Sequence, residues 1–107
     1  MGRASSHTRP PLPVIFTPLA QVELADAQDW YAVRSEHTAR RFREAVGGVV
    51  ERLRQNPPQF PFVRSDVRRA LVGHHFPYAL FFRTTTASIV VVACFHLSRD
   101  PRQWQRR

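Results

Sequence analysis

The chain has 107 residues, which fits a single domain with a modest core and leaves no room for a large cofactor. Apolar residues make up 43% of the sequence, which argues against wholesale disorder. The formal net charge is +8 and all sixteen basic residues are arginine, so the partner expected is anionic, either a nucleic acid or an acidic protein. A single cysteine and the lack of any membrane-length apolar run predict a soluble cytoplasmic protein that does not bind membranes.

The N-terminal segment, residues 1–12, is rich in Ser, Arg and Pro and holds almost nothing apolar. We therefore predict a disordered arm at 1–12 and one domain at 13–107. A short β-prone run at 14–17 leads into Pro18, which suits the first turn of a helix with Thr17 as its N-cap.

A first helix is predicted over residues 18–35, because apolar residues recur there at helical spacing. One stripe consists of Ala20, Leu24, Ala27 and Tyr31. A neighbouring stripe consists of Leu19, Val22, Trp30 and Val33. Two stripes indicate two packing partners, so we expect this helix to lie between another helix and a sheet.

A second helix is predicted over residues 37–55, with a clean apolar face and an arginine-rich opposite face. The pair Gly47-Gly48 weakens its middle, which a close approach to the first helix would explain. Asn56-Pro57-Pro58 ends the helix. Because few residues separate the two helices, we expect an antiparallel helical hairpin.

The remaining segments favour β structure: a short extended piece at 61–63, then strands at 67–73, 78–84 and 88–95. The last strand is apolar on both faces, so it should lie centrally or nearly so, with the first strand returning beside it. The predicted fold is α+β with the order β-α-α-β-β-β. Its helical hairpin packs on one face of a curved, mainly antiparallel sheet.

The candidate chemistry is arginine around this sheet. Arg68, Arg69 and Arg83 fall on the predicted strands, and the last strand is followed by His96, Arg99, Arg102, Arg106 and Arg107. If the strands are neighbours, these groups gather at one side of the sheet. Such a cationic site can bind phosphates and stabilise developing negative charge, and His96 could move protons, which would suit RNA cleavage by a 2′-hydroxyl. The alternative is a solvated rim with a frayed tail.

No cofactor and no metal are expected. The sequence has no Gly-rich phosphate loop and no CxxC pair. His74 and His75 are adjacent, so on a strand they would point to opposite faces and could not share an ion. Cys94 lies in an apolar run and is predicted to be packed rather than nucleophilic.

Several segments resemble, in order and spacing, the ParE/RelE toxins of bacterial type II toxin–antitoxin systems, more closely the ParE side. The resemblance covers roughly residues 14–107. The matching stretches read FREA at 42–45, NPPQFP at 56–61, VRRAL at 67–71, FPYALFF at 76–82 and HLSRDPRQWQR at 96–106.

The resemblance implies a small toxin held inactive by a cognate antitoxin in a toxin–antitoxin hetero-oligomer. ParE-like members inhibit DNA gyrase and are not enzymes in that role, whereas RelE-like members cut mRNA on the ribosome. Tyr78 stands where the nucleases typically carry an arginine, the chain has no lysine, and Trp104 stands where a tyrosine often completes their site. These departures favour gyrase inhibition.

The alternatives left open are a RelE-like mRNA endonuclease with His96 and Arg99 as catalytic residues, a non-toxic RNA-binding domain, and an inactive toxin. For binding the target or the antitoxin, the expected residues are Arg68, Arg69, Arg83, Arg99, Arg102, Trp104 and Arg106. Trp104 is the candidate anchor for the antitoxin, since aromatic residues and arginines dominate interface energetics. Its alternative is to fold back on the toxin's own core.

Overall fold

The computed structural model describes residues 10–98 and residue 105. Its helices and strands, in chain order, are β1 (Val14–Phe16), α1 (Pro18–Arg34), α2 (Glu36–Gln55), β2 (Phe62–Arg64), β3 (Val67–Leu71), β4 (Tyr78–Thr84) and β5 (Ile89–His96). A 3-10 turn at Pro57–Gln59 separates α2 from β2. The α+β class and the predicted succession of elements are confirmed. The extended piece expected near 61–63 is a further strand, β2.

The strands form one sheet in the order β1-β5-β4-β3-β2. β1 runs parallel to β5, with Val14 beside Ile89, and the other neighbours are antiparallel. β5 therefore lies inside the sheet, as its two apolar faces predicted. Val92 is an extra residue on β5, because Phe81 pairs with Ala93 and Phe82 with Val91. This bulge reverses which side chains of β5 face the helices.

Capping residues fix where the helices begin and end. The Thr17 hydroxyl accepts a hydrogen bond from the Ala20 amide, and Pro18 occupies the first turn of α1, as predicted. Ser35 joins the two helices. Its amide donates to the Tyr31 carbonyl at the end of α1, and its hydroxyl accepts from the Thr38 amide at the start of α2. One residue thus closes one helix and opens the next, which produces the predicted hairpin.

The hairpin packs on one face of the sheet, and aromatic rings fill the interface. The rings of Tyr31 and Phe42 lie 5.1 Å apart, and Phe76 from the β3–β4 loop and Tyr78 from β4 pack edge-on against Phe42 at 5.3 and 5.5 Å. Each such pair contributes about 0.5–1.5 kcal/mol beyond the area it buries. Leu12, which falls in the arm predicted from sequence, packs against this core. Residues 1–9 of that arm lie outside the described residues.

A carboxylate joins α1 to β5 beyond the end of β1. β1 covers β5 only from Ile89 to Val91, so the next outward-facing amide, that of Cys94, lacks a strand partner there. Glu23 on α1 accepts a hydrogen bond from this amide at 3.0 Å. The Cys94 thiol itself is buried, and burial together with the Glu23 carboxylate raises its pKa to about 12. The prediction that Cys94 is packed, with nothing nearby to lower its pKa, is confirmed.

Two sequence expectations about the helices are wrong. No atom lies within 4 Å of a methyl group added at Gly47, and at Gly48 only the Arg52 side chain does, so α1 does not approach α2 closely there. The second apolar stripe of α1 does not pack against the other residues that the structure describes, since Leu19, Val22, Trp30 and Val33 are 49–84% exposed. Neither helix, nor any other in the described residues, is long and apolar enough to cross a membrane.

Candidate functional site

The face of the sheet turned away from the helices combines apolar residues with arginines. Its apolar cluster consists of Val67, Ala79, Phe81, Val92, Ala93 and Phe95. Alternation along the strands places Arg69 and Arg83 on this same face, and Arg64 is there too because it pairs with Val67. We call Arg64, Arg69 and Arg83 with their surroundings the arginine face.

The guanidinium groups of the arginine face are only partly paired. The Nε atoms of Arg69 and Arg83 are buried and have no hydrogen-bond partner among the residues that the structure describes. Arg83 Nε lies 3.4 Å from Asp66 Oδ2, close enough for an ion pair although the geometry is not that of a hydrogen bond. A buried N–H without a partner is costly, and an arginine fork binds carboxylates and phosphates through paired hydrogen bonds. The arginine face is therefore suited to an incoming anion.

Gln105 contacts the edge of this face. Arg64 Nη1 donates to Gln105 Oε1 at 3.0 Å. Gln105, Arg64, Asp66 and Arg83 together line a small polar pocket. Gln105 therefore lies at the same surface as the buried Nε atoms of Arg69 and Arg83.

Arg68 belongs to a different environment although it neighbours Arg69 in sequence. Adjacent residues of a strand point to opposite faces, so Arg68 faces the helix side of the sheet. It stacks on the Phe62 ring at 3.7 Å and donates to the Phe60 carbonyl. These contacts hold the proline-rich turn after α2 against β3, so the Arg68 guanidinium is already engaged in intramolecular contacts.

His96 also faces the helices rather than the arginines. It pairs with Tyr78, their rings packing edge-on at 5.0 Å. Its Nδ1 lies 3.1 Å from the Ser98 amide, which donates to it, so the neutral ring carries its proton on Nε2. In this arrangement the ring nitrogen with the free lone pair, Nδ1, is already occupied by the Ser98 amide.

The described candidates do not gather into one site. Arg69 and Arg83 share a face, whereas Arg68 and His96 lie on the other, so the expectation of one cluster is wrong for these two. His96 pairs with Tyr78 at one end of β4 and Arg83 lies five residues along, about 17 Å at strand spacing. The remaining candidates, Arg99, Arg102, Trp104 and Arg106, lie outside the described residues.

Sequence reasoning missed two members of the arginine face, Arg64 and Asp66. Both belong to the tight β2–β3 hairpin, in which Arg64 pairs with Val67 across Ser65 and Asp66. The signal was available in the Ser-Asp dipeptide between two β-prone runs, which is typical of a turn.

A larger pocket of about 580 Å³ opens on the helix side of the sheet, beside the end of α2. It is lined by Pro10, Leu12, Arg54, Phe62, Arg68 and the threonines at the end of β4, among others. Its two arginines are already engaged, Arg54 with Glu51 at 3.0 Å and Arg68 with the proline-rich turn. The arginines of this pocket are therefore already paired, unlike Arg69 Nε, which has no hydrogen-bond partner among the described residues.

Comparison with known proteins gives the family. Residues 14–101 match the sequence profile described as "ParE toxin of type II toxin-antitoxin system, parDE". A solved structure titled "Chromosomal ParDE TA system from P. aeruginosa" shares the fold, with a TM-score of 0.69 and 20% identity over 84% of this chain and 100% of that chain. A search of curated protein sequences finds no match. Because the profile spans most of the chain, the protein belongs to the ParE toxin family of type II toxin–antitoxin systems.

Proposed function

We propose that this ParE-family toxin arrests growth by inhibiting DNA gyrase, and that a cognate antitoxin with an acidic segment neutralises it. The observation that carries the choice of gyrase over mRNA is the separation of His96 from Arg69 and Arg83. A nuclease needs its base, its phosphate-binding cations and the scissile bond within hydrogen-bond reach of one another. Opposite faces of a sheet do not provide that arrangement.

The state of His96 supports the same choice. Its Nδ1 is occupied by the Ser98 amide and its ring packs on Tyr78, which itself stands where the related nucleases carry an arginine. Inhibition through protein binding needs neither a base nor a phosphate clamp beside it. It needs a rigid surface rich in arginine and aromatic residues. Arg99 and Arg102 remain the residues proposed for contact with gyrase, and Trp104 remains the proposed anchor for the antitoxin.

The proposed antitoxin site is the arginine face. Within the described residues, the buried Nε atoms of Arg69 and Arg83 lack hydrogen-bond partners, and Leu71 on the same face is 48% exposed. An acidic, partly apolar antitoxin segment would pair the arginines and cover the leucine, so charge and apolarity both complement this surface. On this proposal the antitoxin completes hydrogen bonds that the toxin alone leaves unmade.

The first experiment is a DNA supercoiling assay with gyrase and the purified, antitoxin-free protein at physiological salt. We expect dose-dependent loss of supercoiling together with trapped, cleaved DNA. The matched variant is His96→Gln, whose amide oxygen can still accept from the Ser98 amide but whose side chain cannot exchange protons near neutral pH. It should inhibit gyrase as the wild type does.

The opposite result has an equally clear meaning. If the folded, growth-arresting protein leaves gyrase unaffected but cuts mRNA on translating ribosomes, and His96→Gln abolishes that cutting, the gyrase proposal is overturned. RelE-like cleavage would then be the function, with His96 acting in a conformation other than the one described.

A further inference from the structure

The outer face of α1 carries an apolar stripe that the described part of the chain, residues 10–98 and 105, leaves uncovered. We call the stripe formed by Leu19, Val22, Asp26, Trp30 and Val33 the α1 stripe. The exposed fractions of its apolar members are 49%, 55%, 50% and 84%. The five residues of the stripe recur at spacings of three and four along about 21 Å of helix, so Leu19 with Val22 and Trp30 with Val33 form two apolar pairs on one helix face with Asp26 between them. A stripe of this kind suits a partner helix that lies along it.

Trp30 gives the α1 stripe a rigid anchor. The Arg34 guanidinium stacks on its ring at 3.6 Å, and Arg34 Nη1 donates to the Trp30 carbonyl at 2.7 Å. The Tyr31 ring packs edge-on against it at 5.1 Å. The tryptophan is thus held in place while half of its surface is exposed. A fixed, exposed tryptophan is the type of residue that most often dominates binding energy.

The charge of α1 is opposite to that of the whole protein. The chain has a net charge of +8, yet α1 carries Glu23, Asp26 and Asp29 against one arginine. Asp26 and Asp29 are exposed. Asp26 stands at the midpoint of the α1 stripe, and Asp29 borders it. The occupant must therefore present basic groups where it meets the middle of the stripe.

A second copy of this chain does not fit the α1 stripe. Because Asp26 is at the midpoint, pairing of the stripe with itself, parallel or antiparallel, would oppose Asp26 to its own copy, and like charges in contact are destabilising. The basic helix α2 of another copy would supply positive charge, but in the structure described it exposes no apolar side chains that could cover the α1 stripe. Its exposed residues at the centre are Arg40, Arg41, Arg43, Glu44, Gly47 and Gly48, while its apolar side chains are buried or half-buried.

We propose that the α1 stripe is a docking surface for an amphipathic helix of a partner protein whose apolar side is flanked by arginine or lysine at its centre. This surface differs in sign and in position from the arginine face, so an acidic antitoxin segment at the arginine face leaves it available. The toxin thus has two protein-binding surfaces of opposite charge preference.

The test uses two synthetic helical peptides of about four turns with identical leucines at the stripe-facing positions. One carries arginines beside the central leucine and the other carries glutamates there. Isothermal titration of the full-length toxin at low salt should show the arginine peptide binding at least about fivefold more tightly, since both attraction and repulsion contribute. Asp26→Arg should reverse this preference. Glu44→Arg, an equal change of charge on the exposed face of α2, should leave it intact.

A second variant separates apolar docking from charge alone. Val33→Ser removes the most exposed apolar group of the stripe without touching the core, so it should weaken the arginine peptide while leaving thermal stability unchanged. The proposal is overturned if neither peptide binds, or if Asp26→Arg leaves the preference unchanged. It is also overturned if sedimentation shows a dimer of the toxin that Val33→Asp dissociates, because the occupant would then be a second copy.

Discussion

Gly47 and Gly48 weaken α2 without any packing role to justify them. Both are exposed, and an added methyl group would meet open space at Gly47 and only the end of a flexible arginine at Gly48. We expect Gly47→Ala and Gly48→Ala each to raise the free energy of unfolding by about 0.5–1 kcal/mol, because alanine loses less backbone entropy in a helix. Thermal denaturation followed by circular dichroism measures this.

The control is Gly73→Ala. Gly73 has φ +138°, a conformation that side chains rarely adopt, so alanine should lower the melting temperature there although it too meets no neighbour. A melting temperature that rises at all three glycines would show that backbone conformation is not the cause.

Cys94 provides a pH test of the core. Burial raises the pKa of its thiol from 9.0 to about 12, so the folded state disfavours the thiolate. The contribution of the Cys94 thiol to stability is fully present below pH 9. It is lost as the pH rises from 9 towards 12, because the thiol ionises at a lower pH in the unfolded chain than in the folded protein. Since the thiolate is the reactive form, iodoacetamide at pH 9 should label the urea-unfolded chain quickly and the folded protein hardly at all. Rapid labelling of the folded protein would contradict the burial.

At the scale of elements, the adjacent residues Arg68 and Arg69 of β3 allow a direct comparison. Arg68 joins β3 to the proline-rich turn through its stack on Phe62 and its hydrogen bond to the Phe60 carbonyl, whereas Arg69 Nε has no partner. We expect Arg68→Met to cost about 1–2 kcal/mol of stability and Arg69→Met to cost less than about 0.5 kcal/mol. Urea denaturation of both variants measures the difference. Equal losses would show that the clamp does not stabilise the fold.

The same pair shows how far sequence could predict the site. The succession of helices and strands followed from apolar spacing, from Thr17 as a cap and from the prolines after α2. Period-two alternation alone was enough to place Arg68 and Arg69 on opposite faces. The same rule that would separate His74 from His75 on a strand also separates Arg68 from Arg69, so a single cluster was not to be expected from the sequence.

The position of His96 could not be read from alternation. In an unbroken strand, His96 and Ile89 would point to opposite faces, since an odd number of steps separates them. The extra residue Val92 shifts the register, so that Cys94 and His96 face the helices together with Ile89 and Val91. A bulge depends on how two strands fit across the ladder, and the apolar run 89–95 carries no local mark of it.

The exposure of the α1 stripe likewise could not be predicted from the pattern of apolar residues. Apolar spacing on α1 predicts two contact surfaces, and it does not tell an intramolecular contact from an intermolecular one. The useful sign was Asp26 in the middle of the stripe. A carboxylate there would be costly to bury inside the fold unless it were paired.

At the scale of the whole molecule, the net charge and the arginine face both affect how tightly the proposed acidic antitoxin segment should bind. If the arginine face is its site, charge reversal at Arg69 or Arg83 should weaken binding by at least about tenfold, because an antitoxin carboxylate loses its cationic partner and meets a like charge instead. Arg40→Glu and Arg41→Glu on the exposed face of α2 change the net charge equally and should weaken it by less than about threefold. Titration at two salt concentrations separates this local effect from general charge attraction. Equal losses at both places would rule out a specific site.

The parallel pairing of β1 with β5 also determines how the chain folds. The helical hairpin and the meander from β3 to β5 join residues near in sequence, so they can form early, whereas β1 must find β5 across almost the whole described chain. Closing so long a loop is entropically costly, and few contacts offset that cost until the sheet exists. The pairing of β1 with β5 should therefore form after the rate-limiting step of folding. Weakening it would speed unfolding far more than it slows folding.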